Sequence, residues 1–174
     1  MINQIVAYDK NRVIGADNEL LWRIPEDMKY FKEKTIGNVC VMGKETYTSI
    51  PAQYRPLSDR LNVVLTTTGG ITEIPDSVIV ARSIPEAFDA IKYNAAWGKR
   101  DIFFTGGQRV YTDGLEFTNR IYATEVGIES DISGKDLVRY YPDLDMKIWE
   151  ETWRENHLNA KIPFSFVIYE RRRN

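Results

Sequence analysis

The order of apolar and helix-like segments predicts an α/β fold: a mostly parallel sheet flanked by helices, with antiparallel strands along one edge. Two observations carry this reading. Through the first two thirds of the chain, short apolar runs alternate with helix-like stretches, which requires crossover connections and hence parallel pairing with both sheet faces covered. After Asn119, three strand-like runs follow one another without a helix between them, as antiparallel additions to a sheet edge do.

The strands expected are INQIVAY (2–8), NVCVM (38–42), RLNVVLTT (60–67), SVIVA (77–81), DIFFT (101–105), RIYATEV (120–126), KIWEETW (147–153) and PFSFVIYE (163–170). Helices are expected at 25–34, 44–49, 84–95 and 107–113. The first of these begins at Pro25, whose missing N–H suits a first helical turn. Three- and four-residue spacing would set Ile24, Met28 and Phe31 on one apolar stripe, with Asp27 at its edge and Glu26, Lys29 and Glu33 toward water. Segment 127–146 reads as a long loop with a helical turn at 134–140. No repeat, linker or boundary interrupts the chain, so a single domain over 1–174 is expected.

A content of 43% hydrophobic and 28% charged residues is that of an ordinary soluble globular protein. The net charge of −2 supplies no overall field to recruit nucleic acid or an anionic membrane. An anionic ligand must therefore be held by local basic groups. Cys40 is the single cysteine, set in the apolar run VCVM; it reads as a small buried side chain and fits a reducing, cytoplasmic setting. MINQIVAYDK lacks the features of a secretory signal, and no apolar run approaches the roughly 18 residues of a membrane span. ERRR at 170–173 reads as a solvated tail. His157, the only histidine, lies in polar RENHLN and reads as a surface residue. Neither a His-based triad nor a metal site is expected.

Two turns share one arrangement. Gly43-Lys44 follows a strand and opens a short helix, but Asn38 and Glu45 stand where a P-loop needs Gly and Ser or Thr. Alone it is equally a glycine turn with an exposed lysine. DIFFTGGQRVY repeats the pattern with Gly106-Gly107, without the GxGxxG of a Rossmann fold. Adjacent glycines at a strand end let a ligand approach the backbone closely. Two such turns in one sheet favour a dinucleotide lying across strand ends with a phosphate at each helix start. Asp27 poses a separate question. The helix macrodipole accounts for an acid in the first turn but not for its side. A carboxylate against apolar groups must find donors or shift its pKa upward, and a heterocycle presenting two N–H groups would satisfy it.

Taken together, IVAY, RVIGADNELLW, IPEDMKYFK, VMGKETYTSI, RPLSDR, LTT, FFTGGQRVY, IYATEV and FVIYERR occur in an order that resembles the dihydrofolate reductase family nearly end to end. The resemblance implies an eight-stranded, mostly parallel sheet with an antiparallel C-terminal strand and four helices. It implies hydride transfer from NADPH to C6 of 7,8-dihydrofolate with protonation at N5. Asp27 would bind the pterin N3 and 2-amino groups, supported by Thr124, with Trp22 beside it. Ile5, Ala7, Phe31, Ile50, Leu57 and Thr105 would wall the pterin and benzoyl rings, and Arg60, with Arg55 assisting, would grip the glutamate α-carboxylate.

On the cofactor side, Ala7, Ile14 and Tyr111 would flank the nicotinamide, with Gly15 and Leu20 in the mobile loop 15–22 that closes over it. Gly43, Thr105, Gly106, Gly107, Gln108, Arg109 and Val110 would frame the pyrophosphate. Lys44, Glu45, Thr46, Leu65, Thr66, Thr67 and Arg82 would surround the adenosine and its 2′-phosphate. A monomer with a small-molecule substrate is the implied state.

Four departures from the family pattern stand out. Lys44 replaces an arginine, keeping charge but losing the planar fork. Leu21 replaces the proline before Trp22. Thr105 puts a hydroxyl where Ile or Val is usual. Segment 127–141 lacks the GDTxFP-like loop that bonds to the mobile loop: only Tyr141-Pro142 matches, and neither Asp131 nor Asp136 substitutes for its acid. Two other readings share the fold. One is a pyrimidine reductase of riboflavin synthesis, disfavoured by Asp27 with Arg60. The other is an idle nucleotide-binding relative, disfavoured by the joint presence of Asp27, Trp22, Arg60 and both glycines.

Overall fold

In the computed structural model, which describes residues 1–68 and 74–173, the expected runs assemble into one eight-stranded sheet. In chain order its strands are β1 (Ile2–Tyr8), β3 (Val39–Gly43), β4 (Leu61–Leu65), β5 (Ile79–Ala81), β6 (Ile102–Phe104), β7 (Arg120–Val126), β9 (Trp149–His157) and β10 (Phe164–Arg171). Across the sheet they lie β5-β4-β3-β6-β1-β7-β10-β9. The helices are α1 (Pro25–Thr35), α2 (Lys44–Ser49), α3 (Ile84–Lys92) and α4 (Gln108–Gly114).

The direction of the last strands corrects one expectation. β7 pairs parallel with β1, because α4 supplies a crossover just before it. β10 is inserted between β7 and β9 and runs antiparallel to both. Among the described strands of this sheet, β10 alone is therefore reversed.

Parallel strands with helices on both faces must be apolar on both faces, and β3 is the extreme case. Val39 and Val41 pack with Val63, Phe104 and, from α3, Ile84, Ala87 and Ile91. Cys40 and Met42 point the other way, against Tyr47, Val64 and Val78. Burial pushes the Cys40 thiol up to about 12, so it stays an inert, neutral core group. α3 is capped by Ser83, whose Oγ accepts from Glu86 N at 3.3 Å. It stops at Lys92 and not at residue 95. The Asn94 side chain takes the Ala96 and Trp97 N–H groups in a turn that competes with the helix.

Two strands escaped the sequence reading. β2 (Val13–Ala16) pairs antiparallel with β8 (Val138–Tyr140), with Gly15 opposite Arg139. The helical turn expected at 134–140 is therefore not formed; Asp17 takes up the backbone donors there, as described below. His157 is also not a free surface residue. Its ring stacks on Phe164 at 4.5 Å and its Nε2 lies 2.7 Å from Glu155 Oε1.

Helix α1 resolves its own periodicity. Ile24 is the extended residue before the helix (φ −124, ψ 101), so helical spacing does not reach back to it. Met28 is 59% exposed. The inward stripe instead runs through Asp27, Tyr30, Phe31, Lys34 and Thr35, which sets Asp27 on the stripe and not at its edge.

Candidate active site

The C-terminal ends of the parallel strands form one rim. Gly43 pairs with Leu65, and Leu65 with Ala81; Thr105 N donates to Val41 O at 2.9 Å; Ala7 pairs with Thr124. β3, β4 and β5 step outward, while β6 and β7 return on either side of β1. Ligands of open α/β sheets bind outside the strand ends at such a reversal.

On one side of the rim, Asp27 Oδ1 accepts a 2.6 Å hydrogen bond from Thr124 Oγ1. Burial holds the carboxyl above the usual carboxylate range, and the Thr124 bond opposes that shift only in part. The Tyr30 hydroxyl is buried without a hydrogen-bond partner in the described residues, and its ring stacks on Phe166 at 4.1 Å. Trp22 is buried with Ile24, Val126, Phe164 and Phe166. An open hollow of about 440 Å³ is lined by Leu20, Trp22, Arg23, Pro25 and Met28, without Asp27. Leu20 is 59% exposed at its lip.

The remaining expected wall residues fall into two groups. Ile5 is buried, Ala7 and Phe31 half-buried. Ile50 and Leu57 pack over Cys40, Met42 and Tyr47. Thr105 is half-buried, and its hydroxyl reaches back to Val41 O at 3.4 Å. Arg60 is fixed before any ligand arrives, with Nε donating to Ser58 O at 2.8 Å and Nη1 to Thr35 Oγ1 at 3.1 Å. Thr35 in turn donates to Phe31 O at 2.7 Å. Arg55 is engaged elsewhere: its Nη1 donates to the Thr48 and Ile50 carbonyls at the C-terminal end of α2.

On the other side, both glycine turns meet. Gly43 N donates to Gly106 O at 2.8 Å, and the Gly106–Gly107 peptide is cis. Gly43 and Gly107 precede α2 and α4, and neither helix has a side-chain cap. Gly106 has φ +120°, a conformation glycine alone adopts readily. A Cβ there would lie 3.4 Å from Thr46 Oγ1 and 3.5 Å from the Tyr111 hydroxyl. Tyr111 Oη donates to Ile5 O at 2.8 Å, which fixes the ring beside the glycine turn. Val110 is buried behind the turn, Lys44 and Thr66 are half-buried, and Thr67 and Arg82 are exposed. Arg109 pairs with Asp113 along its own helix at 3.3 Å.

The model of the family described as dihydrofolate reductase matches residues 1–171. This chain belongs to the dihydrofolate reductase family. It is 34% identical over 179 residues to the dihydrofolate reductase of Bacillus subtilis, covering 99% of this chain and 95% of that one. It is 35% identical over 170 residues to dihydrofolate reductase HdrB of Haloferax volcanii, covering 97% and 82%. Among solved structures, a dihydrofolate reductase from Enterococcus faecalis complexed with NADP(H) and RAB-propyl superposes with a TM-score of 0.82 at 26% identity. The match covers 99% of this chain and 97% of that one.

Within this family member the link between loop 15–22 and segment 127–141 runs through an acid the sequence reading passed over. Asp17, not Asp131 or Asp136, is the bridging carboxylate. Its Oδ1 accepts from Asp136 N at 3.2 Å and Leu137 N at 3.0 Å. Its Oδ2 lies 3.7 Å from Lys135 Nζ, and its own N–H donates to Leu137 O at 3.1 Å. Asp17→Ala is expected to accelerate amide hydrogen exchange at Asp136 and Leu137 by about tenfold, the loss of one or two bonds to a charged acceptor. Unchanged exchange would show that the β2–β8 pairing holds the segment without it. Gln4 was also passed over. Fully buried, it donates to Tyr111 O at 2.9 Å and accepts from Tyr141 Oη at 2.5 Å.

Proposed function

We infer that this chain reduces 7,8-dihydrofolate to 5,6,7,8-tetrahydrofolate with NADPH, by hydride transfer to C6 and protonation at N5. The observation that carries this reading is Asp27. It is a half-buried carboxylate on an inward helix face, with one oxygen held by the Thr124 hydroxyl and the other open to a ligand's donors. A pterin offering N3–H and a 2-amino group completes it. Thr124 fixes Oδ1, so the outer oxygen sets the plane of the incoming ring. Because burial raises its pKa, Asp27 favours a nearby proton, and that promotes protonation of N5.

Ile5, Ala7, Phe31, Ile50, Leu57 and Thr105 form the ring walls, while Trp22 and Leu20 exclude water. Arg60, already aimed by Thr35 and Ser58, takes the glutamate α-carboxylate. That preorganisation favours a folate over the ribose-phosphate pyrimidine of the riboflavin route. Arg55 serves by tying the α2 end to the loop that carries Leu57 and Arg60.

The glycine turns fit the cofactor. A dinucleotide pyrophosphate needs uncapped N–H groups and a gap no Cβ fills; the first turns of α2 and α4 supply the former, and Gly43, Gly106 and Gly107 the latter. Ala7, Ile14, Gly15 and Tyr111 flank the nicotinamide. Gln108, Arg109 and Val110 complete the pyrophosphate turn. Lys44, Glu45, Thr46, Leu65, Thr66, Thr67 and Arg82 border the adenosine end, where Lys44 and Arg82 bring the charge for a 2′-phosphate. When bound, NADPH supplies the hydride. A cytoplasmic monomer completes the reading, consistent with a single buried thiol.

Loss of absorbance at 340 nm on mixing the protein with NADPH and dihydrofolate, with tetrahydrofolate recovered as product, tests the assignment. NADPH binding without turnover would support the idle relative instead. Arg60→Gln is expected to raise the KM for dihydrofolate about 10- to 100-fold, the loss of a charge-assisted pair. Its kcat should stay near that of the parent, and an unchanged KM would remove Arg60 from the substrate site.

A further inference from the structure

We propose that Arg139 grips the pyrophosphate of NADPH from the β8 strap, a contact that rests on the cofactor reading above. Three contacts set Arg139 among β2, the start of α2 and the start of α4. It pairs in register with Gly15 of β2. Its neighbour Tyr140 donates its N–H to Gln108 Oε1, on the first residue of α4, at 2.8 Å. Its own Nη2 lies 3.7 Å from Glu45 Oε2, on the second residue of α2. The strap thus bridges the starts of both helices that frame the phosphate gap.

The charges there favour such a cation. Glu45 suits the macrodipole of α2 in the free protein, yet it follows Gly43 by two residues and would repel a bound pyrophosphate. Arg139 offsets that charge. At 3.7 Å the contact is an ion pair without a hydrogen bond, and among the described residues the Arg139 guanidinium donates to no other group. Its side chain is 40% exposed. Its planar fork is therefore unspent, and a pyrophosphate matches that fork better than one carboxylate oxygen does. No basic residue at this position entered the sequence reading, because segment 127–141 departs from the family pattern.

The test is titration of NADPH and NADH into the ligand-free protein, followed by protein fluorescence, for the parent, Arg139→Gln, Arg139→Lys, Glu45→Gln and the Glu45→Gln/Arg139→Gln double variant. Both nucleotides carry the pyrophosphate and only NADPH the 2′-phosphate. Arg139→Gln is expected to weaken both by the same factor, about tenfold at low salt, with the loss shrinking at high salt. Arg139→Lys should fall between parent and Arg139→Gln. Glu45→Gln should tighten both, and Arg139→Gln should still weaken both in that background. The proposal is overturned if Arg139→Gln stays within about twofold of the parent, if only NADPH is affected, or if the loss vanishes once Glu45 is neutral. A parent that binds neither nucleotide overturns the cofactor reading itself, whereas tight binding by both parent and Arg139→Gln overturns this contact alone. Thermal unfolding of each variant separates misfolding from lost affinity.

Discussion

Asp27→Asn is expected to fold, to gain stability at neutral pH in the absence of ligand, and to lose about 10²- to 10⁴-fold in turnover. The two effects have one cause. Thr124 can donate to an amide oxygen as it does to the carboxylate, so the 2.6 Å bond survives the change. What disappears is a charge that burial disfavours.

The sign follows from linkage. The folded Asp27 pKa lies above its unfolded value. In acid, below the unfolded value, both states carry the proton and the native state bears no penalty. As pH rises through the folded value, the buried charge reduces stability. Asparagine never ionises, so its advantage in urea unfolding should appear at neutral pH and vanish in acid. Turnover should move the opposite way: the variant should recover partly in acid, where solvent protonates the substrate. A destabilised variant at neutral pH would mean that the carboxylate is paired and not exposed to a ligand.

Gly106→Ala carries the second large effect. At φ +120° an L-residue is strained by about 1–3 kcal/mol. The added methyl also fills the space bounded by Thr46 Oγ1 at 3.4 Å and the Tyr111 hydroxyl at 3.5 Å. The variant should fold with reduced stability and bind NADPH more than about 100-fold more weakly, since the backbone can no longer approach a phosphate. Dihydrofolate binding, measured alone, should change far less because Asp27 and Arg60 are untouched. Equal losses for both ligands would indicate collapse of the rim and not a filled phosphate gap.

Strands and helices were legible in the chain because their runs are long and apolar enough to declare a period. Asp27 was legible because a carboxylate on an inward face contradicts the pattern around it. The stripe was misdrawn through Met28 because Ile24 counts as helical in sequence but is extended in space. β2 and β8 were not legible: the four residues VIGA and the three residues VRY are too short to declare a period of their own. Asp17 and Arg139 share that difficulty. Each acts on residues far along the chain, 119 and 120 positions away for Asp17, so no local spacing marks them. A run such as ADNEL reads as a solvated turn until β8 is laid against it.

The most direct test is the single-turnover rate of NADPH oxidation by bound dihydrofolate, followed by stopped-flow absorbance across pH. The protein should show one ionisation displaced upward from the ordinary carboxylate range, with the rate falling as pH rises, and Asp27→Asn should lack that ionisation. A rate independent of pH in the parent, or the same profile in both proteins, would contradict the assignment of Asp27 as the group that directs the proton.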